Sequence, residues 1–145
     1  MKRLLLGVSA SLLLAGHALA ADFGTADEAK ALLAKAAAAI KTDKAAALAK
    51  FIAGEDGFRD RDLYPFCGGP DGNFSAHPTL TGKSLKDLKD KSGKALGQEI
   101  YGAAREGEIA EVDYQWPRPG STEPVAKVSF VTRIGDQVCA VGYYK

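Results

Sequence analysis

Beyond its first twenty residues this 145-residue chain has no long apolar run, no C-x-x-C pair and no excess of one charge. Each absence removes a class of protein. A bilayer-crossing helix needs about 20 consecutive apolar residues, so no stable membrane anchor is expected there. The chain has only two cysteines, Cys67 and Cys139, and their spacing excludes a C-x-x-C redox site and C-x-x-C-H haem attachment. Lys2 and Arg3 are two of the 19 basic residues, which leaves 17 against 18 acidic ones and a formal charge of −1 beyond residue 20. That balance implies neither nucleic acid nor an anionic membrane surface as partner. No G-x-S-x-G or H-E-x-x-H occurs, and His77 has no nucleophile beside it in the sequence. Asp60-Arg61-Asp62 is too sparse for a metal site, and Asp71-Gly72-Asn73 lacks the spacing and terminal glutamate of a calcium loop. The expectation is a protein that is not an enzyme and carries no cofactor and no metal.

The first twenty residues read as a secretory signal: Lys2 and Arg3, an apolar run over residues 4–14, then Ala18-Leu19-Ala20 as the small residues of a cleavage site. Cleavage after Ala20 predicts a periplasmic protein whose mature part, residues 21–145, is one domain large enough to bury a core. In an oxidising compartment Cys67 and Cys139 either pair or remain two small buried hydrophobes.

Thr25-Ala26-Asp27-Glu28 is a capping box, so a helix is expected from about Ala26, carrying Leu32, Leu33, Ala36 and Ile40 on one face. Thr42-Asp43 interrupts it as a fresh cap, and Leu48, Phe51 and Ile52 continue at helical spacing to Gly54. Residues 63–67 and 74–77, joined by the turn-rich residues 68–73, read as a hairpin in which Pro65 cannot donate to a ladder. Ser84 is expected to cap a short helix through Leu88, and residues 94–106 form a second one before Gly107.

Three strands follow, at residues 109–116, 125–132 and 138–143, with Gly135-Asp136 turning between the last two. In the first of them Ala110, Val112, Tyr114 and Trp116 alternate strictly with polar residues, so one face is wet. The next is apolar on both parities except for Lys127 and Ser129, which suits a strand covered on both sides. An ammonium there costs several kcal/mol to desolvate without a partner. Lys127 therefore either faces a pocket, or reaches the sheet edge or a neighbouring carboxylate.

The order of elements is that of a PAS-like sensor, and the residues carry a closer likeness. Residues 62–66 ahead of an Asp-Gly turn, Ala76-His77-Pro78, residues 80–82 and 85–93, the run Tyr114-Gln115-Trp116-Pro117-Arg118-Pro119, Lys127-Val128-Ser129-Phe130 and Gly142-Tyr143 follow one another in that family's order. The chain resembles a single Cache domain, a PAS-like extracellular sensor. The resemblance implies an α+β fold with a five-stranded antiparallel sheet, a long N-terminal helix on its back, and short helices on a ligand side. It also implies that the first and last strands are neighbours, so that a Cys67–Cys139 disulfide would join them.

A small organic anion or amino acid is the ligand class the resemblance implies. Tyr64, Phe66, His77, Tyr114, Trp116, Lys127 and Ser129 would line the cavity, with Arg118 as a second cation. A short carboxylate needs a fixed cation, several donors and apolar walls, which these residue types supply. Each also has a plain reading: His77 as a loop residue bonded to backbone, Tyr114 and Trp116 as core. Cache domains normally feed a kinase or chemotaxis module, whereas this chain ends at Lys145. The expectation is a binding module that passes its state to a membrane sensor kinase or chemoreceptor; the competing expectation is a protein-docking module with no small ligand.

Overall fold

A computed structural model describes residues 22–145. The expected signal peptide lies outside these residues. No helix among them is long and apolar enough to cross a membrane.

The chain begins with α1 (Ala26–Thr42), where the capping box forms: the Glu28 amide donates to Thr25 Oγ1 at 3.3 Å and the Thr25 amide to Glu28 Oε2 at 2.8 Å. Asp43 closes α1 with an extended backbone and opens α2 (Lys44–Ala53), its Oδ1 accepting from the Ala46 amide at 3.0 Å. Gly54 ends α2 at φ 72°, a left-handed conformation in which a Cβ is disfavoured.

Five strands form one antiparallel sheet: β1 (Pro65–Gly68), β2 (Phe74–Ala76), β3 (Ala110–Pro117), β4 (Pro124–Ile134) and β5 (Gln137–Tyr144), in the spatial order β2-β1-β5-β4-β3. The first and last expected strands are thus neighbours, and β4 is interior. Pro65 is the first residue of its strand and pairs with Val141 of β5 but with nothing in β2, so its missing donor is tolerated.

Side-chain alternation splits the interior into two cores. On the back, Cys67, Phe130, Cys139 and Val141 meet Leu33, Ala36 and Ile40 of α1 and Phe51 of α2. On the front, Phe66, Val112, Tyr114, Val131, Val138 and Ala140 meet Leu96 and Ile100 of α3 (Leu96–Ala103) and the loop residue Leu85. Both cores hold long aliphatic and aromatic groups with under a tenth of their surface exposed. At about 25 cal/mol per Å² of apolar area, this burial is the main stabilising contribution.

Two expected helices differ. Ser84 does accept the Asp87 amide, at 3.1 Å, as a cap would, but residues 85–93 are turns. The Leu88 carbonyl that would continue a helix accepts instead from Gly97, at 3.0 Å, and Gly97 is small because a Cβ there would lie 1.7 Å from the Leu85 oxygen. The second helix is shorter than residues 94–106. After Ala103 the backbone extends, and the Arg105 carbonyl accepts from the Arg133 amide at 3.1 Å, drawing the chain to β4. Tertiary hydrogen bonds outcompete one further helical turn in both places.

Cys67 and Cys139 are paired in register across β1 and β5 and joined by a disulfide. With a sequence separation of 72, the chain-entropy relation gives about 4 kcal/mol of stabilisation. Cys67→Ser with Cys139→Ser is expected to lower the urea midpoint by the equivalent of about 2–4 kcal/mol and to steepen the slope, because the unfolded chain released from the cross-link exposes more surface. An unchanged midpoint would show that the cross-link adds nothing.

Candidate ligand site

The front core is not filled at its β3 end. Tyr64, His77 and Trp116 converge there and separate two spaces. The inner one, bounded also by Phe66, Phe74, Leu96, Ile100 and Tyr114, is an apolar hole of about 10 Å³, room for one water or a methyl group. The outer one is a cleft of about 420 Å³. It is bounded by the 59–64 segment, His77 and Pro78 after β2, Lys91, and residues 116–121 at the end of β3 and in the turn beyond it.

The lining of the outer cleft contains Arg59, Arg61, Lys91 and Arg118 and no carboxylate. Two of these cations are already matched. Arg61 pairs with Glu28 at 2.7 Å and Asp60 at 2.9 Å, and Arg118 Nη1 pairs with the buried Asp62 at 2.6 Å. Arg118 is also stacked between two rings, its guanidinium carbon 3.8 Å from the centroid of Phe23 and 4.5 Å from that of Tyr144. Arg59 donates to the Ile52 carbonyl at 3.0 Å, and Lys91 hangs 5.9 Å from the Trp116 ring; neither has an ion pair among the described residues.

His77 is held by the turn that follows it. Its Nδ1 accepts from the Thr79 amide at 3.0 Å and the Leu80 amide at 3.1 Å, so the proton of the neutral ring sits on Nε2. Burial, aided by the charges of Lys127 and Arg59, brings its pKa down to about 4. At neutral pH the ring is therefore an uncharged donor. The backbone-bonded loop histidine and the cavity-lining histidine are the same residue.

The expected site residues divide by depth. Tyr64, His77 and Trp116 line both spaces, Phe66 and Tyr114 the inner hole, and Arg118 the outer cleft. Lys127 and Ser129 lie one layer behind. Ser129 Oγ is 2.8 Å from the Tyr114 hydroxyl, and Lys127 Nζ donates to the Tyr64 hydroxyl at 3.1 Å and the Tyr144 hydroxyl at 3.3 Å.

Arg59, Arg61 and Lys91 did not emerge from the sequence as site residues, because charged loop residues have no periodicity to mark a facing direction. Asp90 was equally silent. Its carboxylate accepts from the amides of Ser92 (2.8 Å), Lys94 (2.9 Å) and Gln115 (2.8 Å) and from Ser92 Oγ (2.7 Å), clasping the loop that carries Leu88 and Lys91 to β3. Burial acts to raise its pKa, but these donors outweigh it and bring the value down to about 2. A depressed carboxylate contributes stability that is present above its unfolded value near 3.8 and lost as pH falls toward 2. Asp90→Ala is expected to cost about 1–3 kcal/mol at pH 7, with the loss shrinking below pH 3. A loss of the same size at pH 2 and pH 7 would contradict this account.

The Cache domain family model (dCache_2) matches residues 26–143. Among solved structures, a methyl-accepting chemotaxis protein from Vibrio parahaemolyticus superposes with a TM-score of 0.66 at 26% identity, over 81% of this chain and 86% of that one. A periplasmic sensor domain of a chemotaxis protein superposes with a TM-score of 0.62 at 32% identity, over 81% and 88%. A Cache chemosensory domain described for its carboxylic acid recognition, at 23% identity and a TM-score of 0.56 over 79% and 84%, shares the fold. In sequence, 56 residues are 39% identical to the methyl-accepting chemotaxis protein McpP of Pseudomonas putida, a segment that is 39% of this chain and 10% of that protein. With the sheet order, the front cavity and a family match over most of its length in agreement, the chain belongs to the Cache domain family of sensors.

Proposed function

We propose that this protein is a periplasmic sensor module, exported by cleavage after Ala20, that binds a small organic anion in the cleft between Tyr64, His77, Trp116 and Arg118. Its bound state would be read by a membrane chemoreceptor or sensor kinase. One observation carries the ligand class: the cleft is walled by cations and an uncharged histidine donor, with no carboxylate in its lining. A carboxylate gains from fixed cations and converging donors, and a water-excluding wall strengthens both. Trp116, Pro117 and Leu80 supply apolar wall for the rest of the molecule.

The same observation separates two ligands that the sequence left together. An α-amino acid carries an ammonium group, which needs an anion or several acceptors when desolvated. The buried carboxylate behind Arg118, Asp62, has one oxygen committed to the Gly24 amide at 2.7 Å and the other to Arg118. A carboxylate without an amine therefore suits the cleft better than an amino acid. A Cache chemosensory domain of the same fold is described for carboxylic acid recognition, and the cations lining this chain's own cleft support the same class here.

Propionate and alanine differ by the ammonium alone and make a direct test. Propionate, or a longer unaminated carboxylate from the same panel, is expected to raise the melting temperature, by the equivalent of about 2.7 kcal/mol at one hundred times its Kd. Alanine at equal concentration is expected to leave the melting temperature unchanged. Arg118→Ala is expected to weaken binding about 10- to 100-fold, as for loss of a charge-assisted hydrogen bond. Stabilisation by alanine but not by propionate would overturn the class. Silence across the whole panel would favour the protein-docking alternative.

A further inference from the structure

Lys127 is the anomaly of the front core. It is 1% exposed, its Nζ lies 4.5 Å from the ring centroids of both Tyr64 and Tyr144, and its hydrogen bonds go to their two hydroxyls. No ion pair reaches it among the described residues. The sheet is shaped to admit it: Gly142 stands opposite Ser129 in the ladder, and a Cβ at that glycine would lie 2.4 Å from Lys127 Cε. A buried ammonium bonded only to phenols costs stability, and a hydrophobic residue would fill the same space without that cost.

What the lysine reaches is informative. The Tyr144 hydroxyl spends its proton on the Pro117 carbonyl at 2.7 Å. The Tyr64 ring borders both the inner hole and the outer cleft. With its oxygen accepting from Lys127, the Tyr64 hydroxyl is polarised as a donor, since a hydrogen bond into an oxygen strengthens the one that oxygen gives.

We propose that Lys127 is a positioning residue that acts on the bound anion through Tyr64, fixing and polarising the phenol as the donor that meets a carboxylate oxygen. This deepens the anion-binding reading above and rests on it. Arg118 and the Nε2 proton of His77 then complete the set around the carboxylate, with the lysine behind the wall.

The charged and titratable groups around Lys127 are Asp62 and Tyr64 ahead of β1, His77 after β2, Tyr114 on β3, Arg118 beyond β3 and Tyr144 on β5. Burial, aided by Arg118 and opposed by Asp62, brings the lysine pKa from its ordinary 10.5 to about 7. Tyr64 is moved the other way, to about 12, chiefly by burial, so it remains a neutral donor throughout. Affinity for a carboxylate is therefore expected to fall as pH rises through 7, as the polarising charge is lost. Stability moves in the opposite sense: between about 7 and 10.5 the unfolded chain binds more protons, so the free protein gains stability as pH rises.

The test is a double-mutant cycle with Lys127→Met, Tyr64→Phe and the pair, using the carboxylate that gives the largest shift in the panel as probe. Each single change is expected to weaken binding about tenfold, and the pair no more than the worse single, because both break one chain of contacts. The fall in affinity between pH 6 and 8.5 is expected in the wild type and absent in Lys127→Met. As a measurement on the unliganded protein, the 13Cζ signal of Tyr64 should titrate near pH 7 and be flat in Lys127→Met, which should itself melt no lower than wild type. Losses that multiply in the pair, or a pH profile unchanged by Lys127→Met, would overturn the inference while leaving anion binding intact. A wild type silent to every carboxylate would overturn both.

Discussion

The buried carboxylate of Asp62 holds together parts of the chain that the sheet does not. One oxygen takes the Gly24 amide just before α1, the other takes Arg118 from the far end of β3, and the residue itself stands three positions ahead of β1. Removing Arg118 would leave the Asp62 carboxylate buried without its counter-charge, a loss of about 3–5 kcal/mol. The same contacts aim the Arg118 guanidinium between the Phe23 and Tyr144 rings at the mouth of the cleft. A structural ion pair thus fixes the orientation of a cleft-facing cation.

Two tyrosines repeat one arrangement on the ligand side. Tyr114 meets Ser129 and Tyr64 meets Lys127, in each case a phenol facing the cavity with a polar group of β4 behind it. The strand itself is buried on both faces over residues 128–132. Polar atoms on such a strand must be satisfied locally, and no buried side-chain nitrogen or oxygen among the described residues lacks a partner. The cavity acquires donors on rigid rings, and the sheet loses no hydrogen bond in supplying them. Both ends of the sheet are likewise closed by loops: the Phe74 amide and carbonyl of β2 bond to Lys83 and Gly82, and Gln115 of β3 bonds to Lys91 and Asp90.

Much of this was legible before any coordinates. The capping box at Thr25, the second cap at Asp43 and the stop at Gly54 are local chemistry, in which three or four adjacent residues contain the whole interaction. The alternation of Val112, Tyr114 and Trp116 against Glu111, Asp113 and Gln115 fixed a face, and the order of the motifs fixed the family. The errors were also physical. Ser84 has the cap and a single turn, closed by the Leu88 amide on the Leu85 carbonyl, but the turn does not propagate because Gly97 takes the Leu88 carbonyl. The helix ending at Ala103 is cut short by a bond from Arg133, thirty positions away from it in the chain.

The sequence by itself determined the two N-terminal helices, the three closing strands and the two-sided covering of β4, since periodicity, capping and turn chemistry depend on neighbours along the chain, while the five-stranded plan and the residues expected at the cavity came from the family resemblance. Tertiary structure alone decided how deep each side chain sits. Lys127 and Ser129 share a parity with cavity residues, yet the rings of Tyr64 and Tyr114 come between them and the cleft. Arg59 and Lys91 carry no pattern at all and reach the same cleft because loops distant in sequence converge over the end of the sheet. Parity along a strand gives direction, whereas depth depends on which other strands and loops lie in front, and that is set only when the long-range contacts form.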